Sequence, residues 1–182
     1  MTVHFVCRTE LPVAPELAFE LSRSIDAHLG SMADSGERAV GGVTTGLIGD
    51  GEQVTWRARH FGIVWTMTSR ITAFDAPHTF TDEQVRGPFS AFRHVHTFEP
   101  IAARFDKLSD RASAPVPVPE PVEGPPVPEP VEGPPHTLMT DAVTFTAPFG
   151  PLGLIAERIA LRRHLVRLIE SRNEWLRHEL TR

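Results

Sequence analysis

The stretch PLGLIAERIALRRHLVRLIESRNEWLRHEL, residues 151–180, decides the fold. Pro148 and Pro151 precede it, and proline is tolerated in a first helical turn because its missing N–H has no intrahelical partner there. Nothing then breaks the run. Leu154, Ile155, Ile159, Leu161, Leu165, Val166, Leu168, Ile169, Trp175, Leu176 and Leu180 recur at steps of three and four, which predicts one long helix with a broad apolar face. A face that wide needs a sheet to cover. Arg158, Arg162 and Arg172 fall inside the stripe, so each must snorkel to water or meet a carboxylate.

The chain upstream supplies the sheet. Residues 136–147 alternate, with Met139, Asp141, Val143 and Phe145 on one side. Residues 89–99 do the same, with Phe92, His94, His96 and Phe98 together, and residues 63–74 place Trp65, Met67, Ser69 and Ile71 on one face. Further strands are predicted at 3–11, 43–48, 53–61 and 79–85, separated by Gly49-Asp50-Gly51, Gly62, Asp75-Ala76-Pro77 and Gly87-Pro88. Pro15 opens a short helix that Gly30 ends, and residues 31–42 read as a loop. About seven strands and one long terminal helix result.

One segment does not belong to this pattern. PVPEPVEGP at Pro117–Pro125 is repeated without change at Pro126–Pro134, and ten of the 17 prolines lie in 115–135. Proline removes backbone donors and locks φ, so the segment is expected to be extended and solvated, outside the fold. Two readings stand: a ligand for a proline-binding domain, or an in-frame duplication tolerated as a surface loop, whose closure cost grows only as about (3/2)RT ln n. The chain is accordingly expected to be one domain, 1–182, with an insertion at about 102–135 in the hairpin between the last two strands. Deleting it is expected to leave stability nearly unchanged.

Composition narrows the function classes. A formal charge of -5 and a pI near 6.0 give no general attraction to nucleic acid. The terminal segment is the local exception, with seven arginines and four glutamates in 157–182. A lone Cys7 excludes an internal disulfide, and residues 1–30 carry too many charges for a signal peptide, so a cytoplasmic location without a membrane span is expected. No phosphate-binding glycine loop, Ser-His-Asp signature or paired catalytic carboxylates are found.

The order of elements, with Phe5-Val6-Cys7-Arg8, Val13-Ala14-Pro15-Glu16-Leu17-Ala18-Phe19, Gly87-Pro88-Phe89, Phe92-Arg93-His94-Val95-His96-Thr97-Phe98 and Met139-Thr140-Asp141-Ala142-Val143-Thr144-Phe145, resembles the START-like (SRPBCC) superfamily, the polyketide cyclase/dehydrase and lipid-transport group. The resemblance implies an α+β helix-grip fold, a curved antiparallel sheet wrapped on the C-terminal helix. It also implies a ligand pocket between them, without assigning a branch. The oxygenase activity found in that superfamily is excluded, because one cysteine cannot supply its cluster ligands.

Three functions follow as expectations. The first is binding of a small hydrophobic or aromatic ligand, with Trp65, Met67, Phe92, Phe98, Met139, Val143, Phe145, Phe149, Arg158 and Arg162 near the pocket; plain core packing is the competing reading of the apolar ones. The second is a cyclase- or dehydratase-type enzyme. His94 and His96 point to one side of a strand, and Asp141 lies on its neighbour, so a carboxylate-oriented imidazole could serve as acid or base. The third is an interaction module using the basic helix. The His-His-Asp set has metal-capable spacing, but the expectation is no metal and no cofactor. Asp141 is expected to contact Arg158 or Arg162, or else His94 or His96.

Overall fold

A computed structural model describes residues 2–60, 62–102, 135–146 and 154–182, with only the backbone described at 34 and 154–159. Seven strands, β1 (Thr2–Leu11), β2 (Arg38–Gly42), β3 (Gln53–His60), β4 (Ile63–Asp75), β5 (Thr79–Arg86), β6 (Ala91–Ile101) and β7 (His136–Thr146), form one antiparallel sheet in the order β1-β7-β6-β5-β4-β3-β2. Two short helices, α1 (Pro15–Ser22) and α2 (Ile25–Ser31), follow β1, and the long helix α3 (Leu154–Glu179) closes the chain. This is the helix-grip arrangement. No helix among the described residues is long and apolar enough to cross a membrane.

Alternation explains the sheet's two faces. Thr137, Met139, Asp141, Val143 and Phe145 on β7 are buried, as are His94, His96 and Phe98 on β6, while the residues between them are more exposed. Register slips between Thr68 and Ser69, between Thr72 and Asp75, and between Ala39 and Gly41 mark bulges in the sheet. Bulges bend a strand and increase its twist, so the face carrying the histidines becomes concave. Ala73, at φ 49, sits in one of them.

Two packed clusters fill that concavity. Phe19 of α1 meets Phe74, Phe80 and Phe98 edge-on, with ring centroids 5.3–5.5 Å apart. Phe5, Val143 and Phe145 form the second cluster, against Leu161, Leu165, Val166 and Ile169 of α3. The apolar stripe that defined the helix is therefore the face that the sheet covers.

Three elements differ from the sequence expectation. The helix after β1 is two helices, because the chain breaks at Ser24, whose side chain accepts from Ala27 N and caps α2. Gly30 lies inside α2 rather than ending it; a Cβ there would come within 2.8 Å of the Trp175 ring, so glycine is needed for the close approach of α2 to α3. The second strand is Arg38–Gly42, inside the stretch expected to be a loop, and 43–48 runs as bends held by one bridge, Ser24 to Leu47. The proline-rich repeat lies outside the described residues. Ile101 pairs with His136, so β6 and β7 are register neighbours on either side of it.

Candidate functional site

The site grows from the pairing of β6 with β7. His96 is opposite Asp141 and His94 opposite Val143, so both imidazoles and the carboxylate share the concave face. His94 Nε2 lies 2.9 Å from Asp141 Oδ1, and since a carboxylate only accepts, the proton of this bond is on Nε2. His96 Nδ1 is also 2.9 Å from Oδ1, but off the line of a good hydrogen bond. The other oxygen, Oδ2, accepts from Asn173 Nδ2 at 2.7 Å. Asp141 itself is fully buried.

The buried cation is Arg172. Its Nη1 is 3.6 Å from Asp141 Oδ1 and donates to Asn173 Oδ1 at 3.2 Å, while Nη2 donates to the Ser22 carbonyl at 3.0 Å. Of the two arginines expected there, Arg162 is not the partner. Arg158 has no described side chain, and Arg162 is exposed, its guanidinium 5.9 Å from the Phe5 ring. The reason is geometric: a strand advances about 3.3 Å per residue and a helix 1.5 Å, so the helix needs roughly twice as many residues to return past Asp141. Arg172 and Asn173, several turns into α3, are the residues that reach it. The expected histidine contact is present as well.

Burial sets the protonation states. It works to raise the pKa of Asp141, but the approach of His94 and His96 outweighs it, and the carboxyl is held well below the usual carboxylate range. His96 is pushed down to about 3 by burial and then by the neighbouring His94, whose ring centroid is 3.9 Å away, so the ring is neutral. The His96–Asp141 contact is thus not an ion pair. Burial also lowers Arg172, against the pull of Asp141 and Asp82.

Beside this cluster, under α2 and α3, is a cavity of about 80 Å³. Ile25, Ile48, Val54, Trp56, Ile71, Phe80 and Ile169 give it apolar walls, and Asp82, His94, His96 and Arg172 its polar side. Trp56 and Asp82 were not expected at the site. The alternation Val54, Trp56, Ala58, all buried, was the signal for the first. Asp82 pairs with His94 across β5 and β6, and that register could not be read from the chain alone.

The expected pocket residues lie elsewhere on the concave face. Phe98 and Met139 are sealed in the main core, and Val143 and Phe145 in the second cluster with Phe92 packed on it. Met67 packs against the core, while Trp65 donates Nε1 to the His60 carbonyl at 3.1 Å. None of these residues lines the 80 Å³ cavity. Phe149 lies outside the described residues.

The ligating atoms of His94, His96 and Asp141 lie within 4.8 Å of one another, as a metal would require. A cation there would sit beside the Arg172 guanidinium and compete with Asn173 for the carboxylate. With Arg172 already balancing Asp141, the set suits a closed hydrogen-bonded cluster better than a metal centre.

Asp82 is the unbalanced group. Its Oδ1 is buried without a well-aligned hydrogen bond among the described residues, as are Ser69 Oγ beside it and, on the cavity wall, Arg23 Nε and His28 Nε2. Burial raises its pKa, opposed by Ser69, His94, His28 and Arg172. A carboxyl with a raised folded pKa favours the folded state at low pH and opposes it once ionised. Asp82→Asn is therefore expected to stabilise the protein by about 1 kcal/mol at pH 8, with the gain shrinking towards pH 4. Urea midpoints at the two pH values check this; destabilisation at pH 8 would contradict it.

No protein-family profile matches the chain, and no curated protein does. Solved structures do match. TTHA0849 from Thermus thermophilus superposes with a TM-score of 0.65 at 12% identity, covering 98% of this chain and 97% of that one. The Zhui aromatase/cyclase from Streptomyces sp. R1128 gives 0.65 at 12%, covering 100% and 95%. The ginseng major latex-like protein 151 from Panax ginseng gives 0.56 at 12%, covering 98% and 97%. The described residues thus have the helix-grip fold; at this identity the likeness concerns the fold alone.

Proposed function

We propose that the protein binds a small hydrophobic or aromatic molecule between its sheet and C-terminal helix, with the ligand's polar end turned to Asp82, His94, His96 and Arg172. The observation that carries this reading is the cavity itself: apolar walls with a few convergent polar groups are the usual composition of a small-molecule site. Its size adds a condition. A cavity of about 150 Å³ is known to accept benzene, and this one is about 80 Å³, so an aromatic ring enters only as a wall yields. His28 of α2 and Met32, the residue that ends it, lie on one such wall. The test is titration of the ¹⁵N-labelled protein with toluene. Amide shifts concentrated at Ile48, Val54, Trp56 and Ile71 are expected; no shifts, or shifts confined to the outer surface, would reject the site.

One observation favours a second reading, acid–base chemistry of the cyclase or dehydratase kind. His94, oriented by Asp141, faces the same cavity. Such a ring could take a proton from a carbon next to a carbonyl, with Asp141 fixing its tautomer. His96, with a pKa of about 3, is too weak a base for that role and would act in positioning. His94→Gln keeps a donor towards Asp141 but cannot carry the proton, so ligand binding without turnover in this variant would separate the two readings.

A further inference from the structure

The polar wall of the cavity is short of partners of both kinds. Asp82 Oδ1, an acceptor, is buried without a well-aligned hydrogen bond among the described residues. Two donors share that state. Arg23 gives Nη2 to Glu20 Oε2 at 2.6 Å and Nη1 to the Ile48 carbonyl at 3.1 Å, while its buried Nε has no well-aligned acceptor among the described residues. His28, stacked on Trp56 with ring centroids 4.2 Å apart, has its buried Nε2 3.5 Å from Glu37 Oε2, again without a well-aligned hydrogen bond. Asp82, Arg23 and His28 line the same cavity as the apolar Val54, Trp56, Ile71 and Phe80.

Buried polar atoms in proteins are nearly always paired, so an unpaired acceptor and unpaired donors around one cavity call for a guest that offers both roles. The common polar groups differ in what they bring. A ketone, ester or ether oxygen only accepts, and does nothing for Asp82. A carboxylate also only accepts, and sets a second anion beside Asp82. An ammonium only donates, and adds a cation to a wall that already holds Arg23 and Arg172. A hydroxyl does both with a single heavy atom, which suits a cavity of about 80 Å³. We infer that the pocket takes an apolar or aromatic molecule bearing a hydroxyl, a phenol or an alcohol, whose O–H donates to Asp82 Oδ1 and whose oxygen accepts from Arg23 Nε or His28 Nε2. The inference rests on the ligand reading above and adds the chemical class. An ionised Asp82 accepts this proton and a neutral one keeps an acceptor oxygen, so the contact holds in either state.

Phenol and toluene are nearly equal in size and differ in the hydroxyl, so they form the test pair, read by amide shifts of the full-length ¹⁵N-labelled protein at pH 7, where phenol is un-ionised. A hydroxyl buried without a partner weakens binding about tenfold or more. Phenol is therefore expected to bind at least as tightly as toluene, with shifts at Ile48, Val54 and Asp82. Asp82→Ala should weaken phenol about tenfold while toluene binds as tightly or more so. Anisole, which accepts but cannot donate, should bind about tenfold more weakly than phenol. Phenol weaker than toluene, a phenol-to-toluene affinity ratio unmoved by Asp82→Ala, or anisole matching phenol would each overturn the inference, while toluene binding keeps the pocket in place. Failure of both phenol and toluene removes the ligand reading and this inference with it. The first comparison uses the unmodified protein, so it decides the matter even where Asp82→Ala does not fold.

Discussion

Asp141→Asn is expected to destabilise the protein by about 3–5 kcal/mol, the largest effect of any single substitution in the sheet's polar cluster. The expectation follows from burial. Asp141 is fully inaccessible and Arg172 only 4% exposed, so removing the carboxylate's charge leaves a guanidinium in the interior without its nearest counter-charge. It also disturbs the hydrogen bonds from His94 and Asn173 that hold β6, β7 and α3 in register. For a chain of this size each kcal/mol shifts the melting temperature by about 2–4 °C, so a drop of roughly 10 °C is expected. The double variant Asp141→Asn with Arg172→Met removes both charges, and its loss should be well below the sum of the single losses. Additive effects, or a single-variant change within error, would contradict the pairing.

Acid sensitivity is the second large effect. His96 has a folded pKa of about 3, against 6.5 for a free ring, so between those values the unfolded chain binds a proton that the folded protein does not. Stability contributed by the neutral ring is therefore complete above pH 6.5 and is lost at up to about 1.4 kcal/mol per pH unit on acidification. Asp141 adds to the loss only below the ordinary carboxylate pKa of 3.8, because its folded value is depressed. Asp82, shifted the other way, offsets part of it. From pH 6.5 to pH 4.5 the His96 contribution is about 2–3 kcal/mol. Since His96 turns Nδ1 to Asp141, Asn is the closest non-titrating replacement. His96→Asn should show a shallower fall of the urea midpoint over this range than the unmodified protein, and parallel curves would contradict the assignment.

The parts of the fold that were legible in the sequence are those where a simple period holds over many residues. The terminal helix and the faces of β6 and β7 are of this kind, and His94, His96 and Asp141 were placed on one face by parity alone. β2 was not legible. Its Val40-Gly41-Gly42 stretch has little strand propensity, and the bulge between Ala39 and Gly41 breaks the period. The cluster's cation was also hidden, since which turn of α3 passes Asp141 depends on how a helix and a strand cross, not on either one's pattern. Trp56 and Asp82 needed the register of strands farther along the sheet from β7. The cavity that they line is a property of packing, to which an alternating pattern is blind.

The most direct test of a ligand site under α3 is native mass spectrometry of the full-length protein as isolated, alongside Val54→Phe, which puts a ring into the cavity wall. The account predicts a small-molecule adduct of defined mass on the unmodified protein, released on denaturation and absent from Val54→Phe folded to the same extent. An adduct carried equally by both proteins would place the ligand elsewhere, and no adduct on either, together with no toluene-induced shifts, would contradict the claim that this fold encloses a ligand.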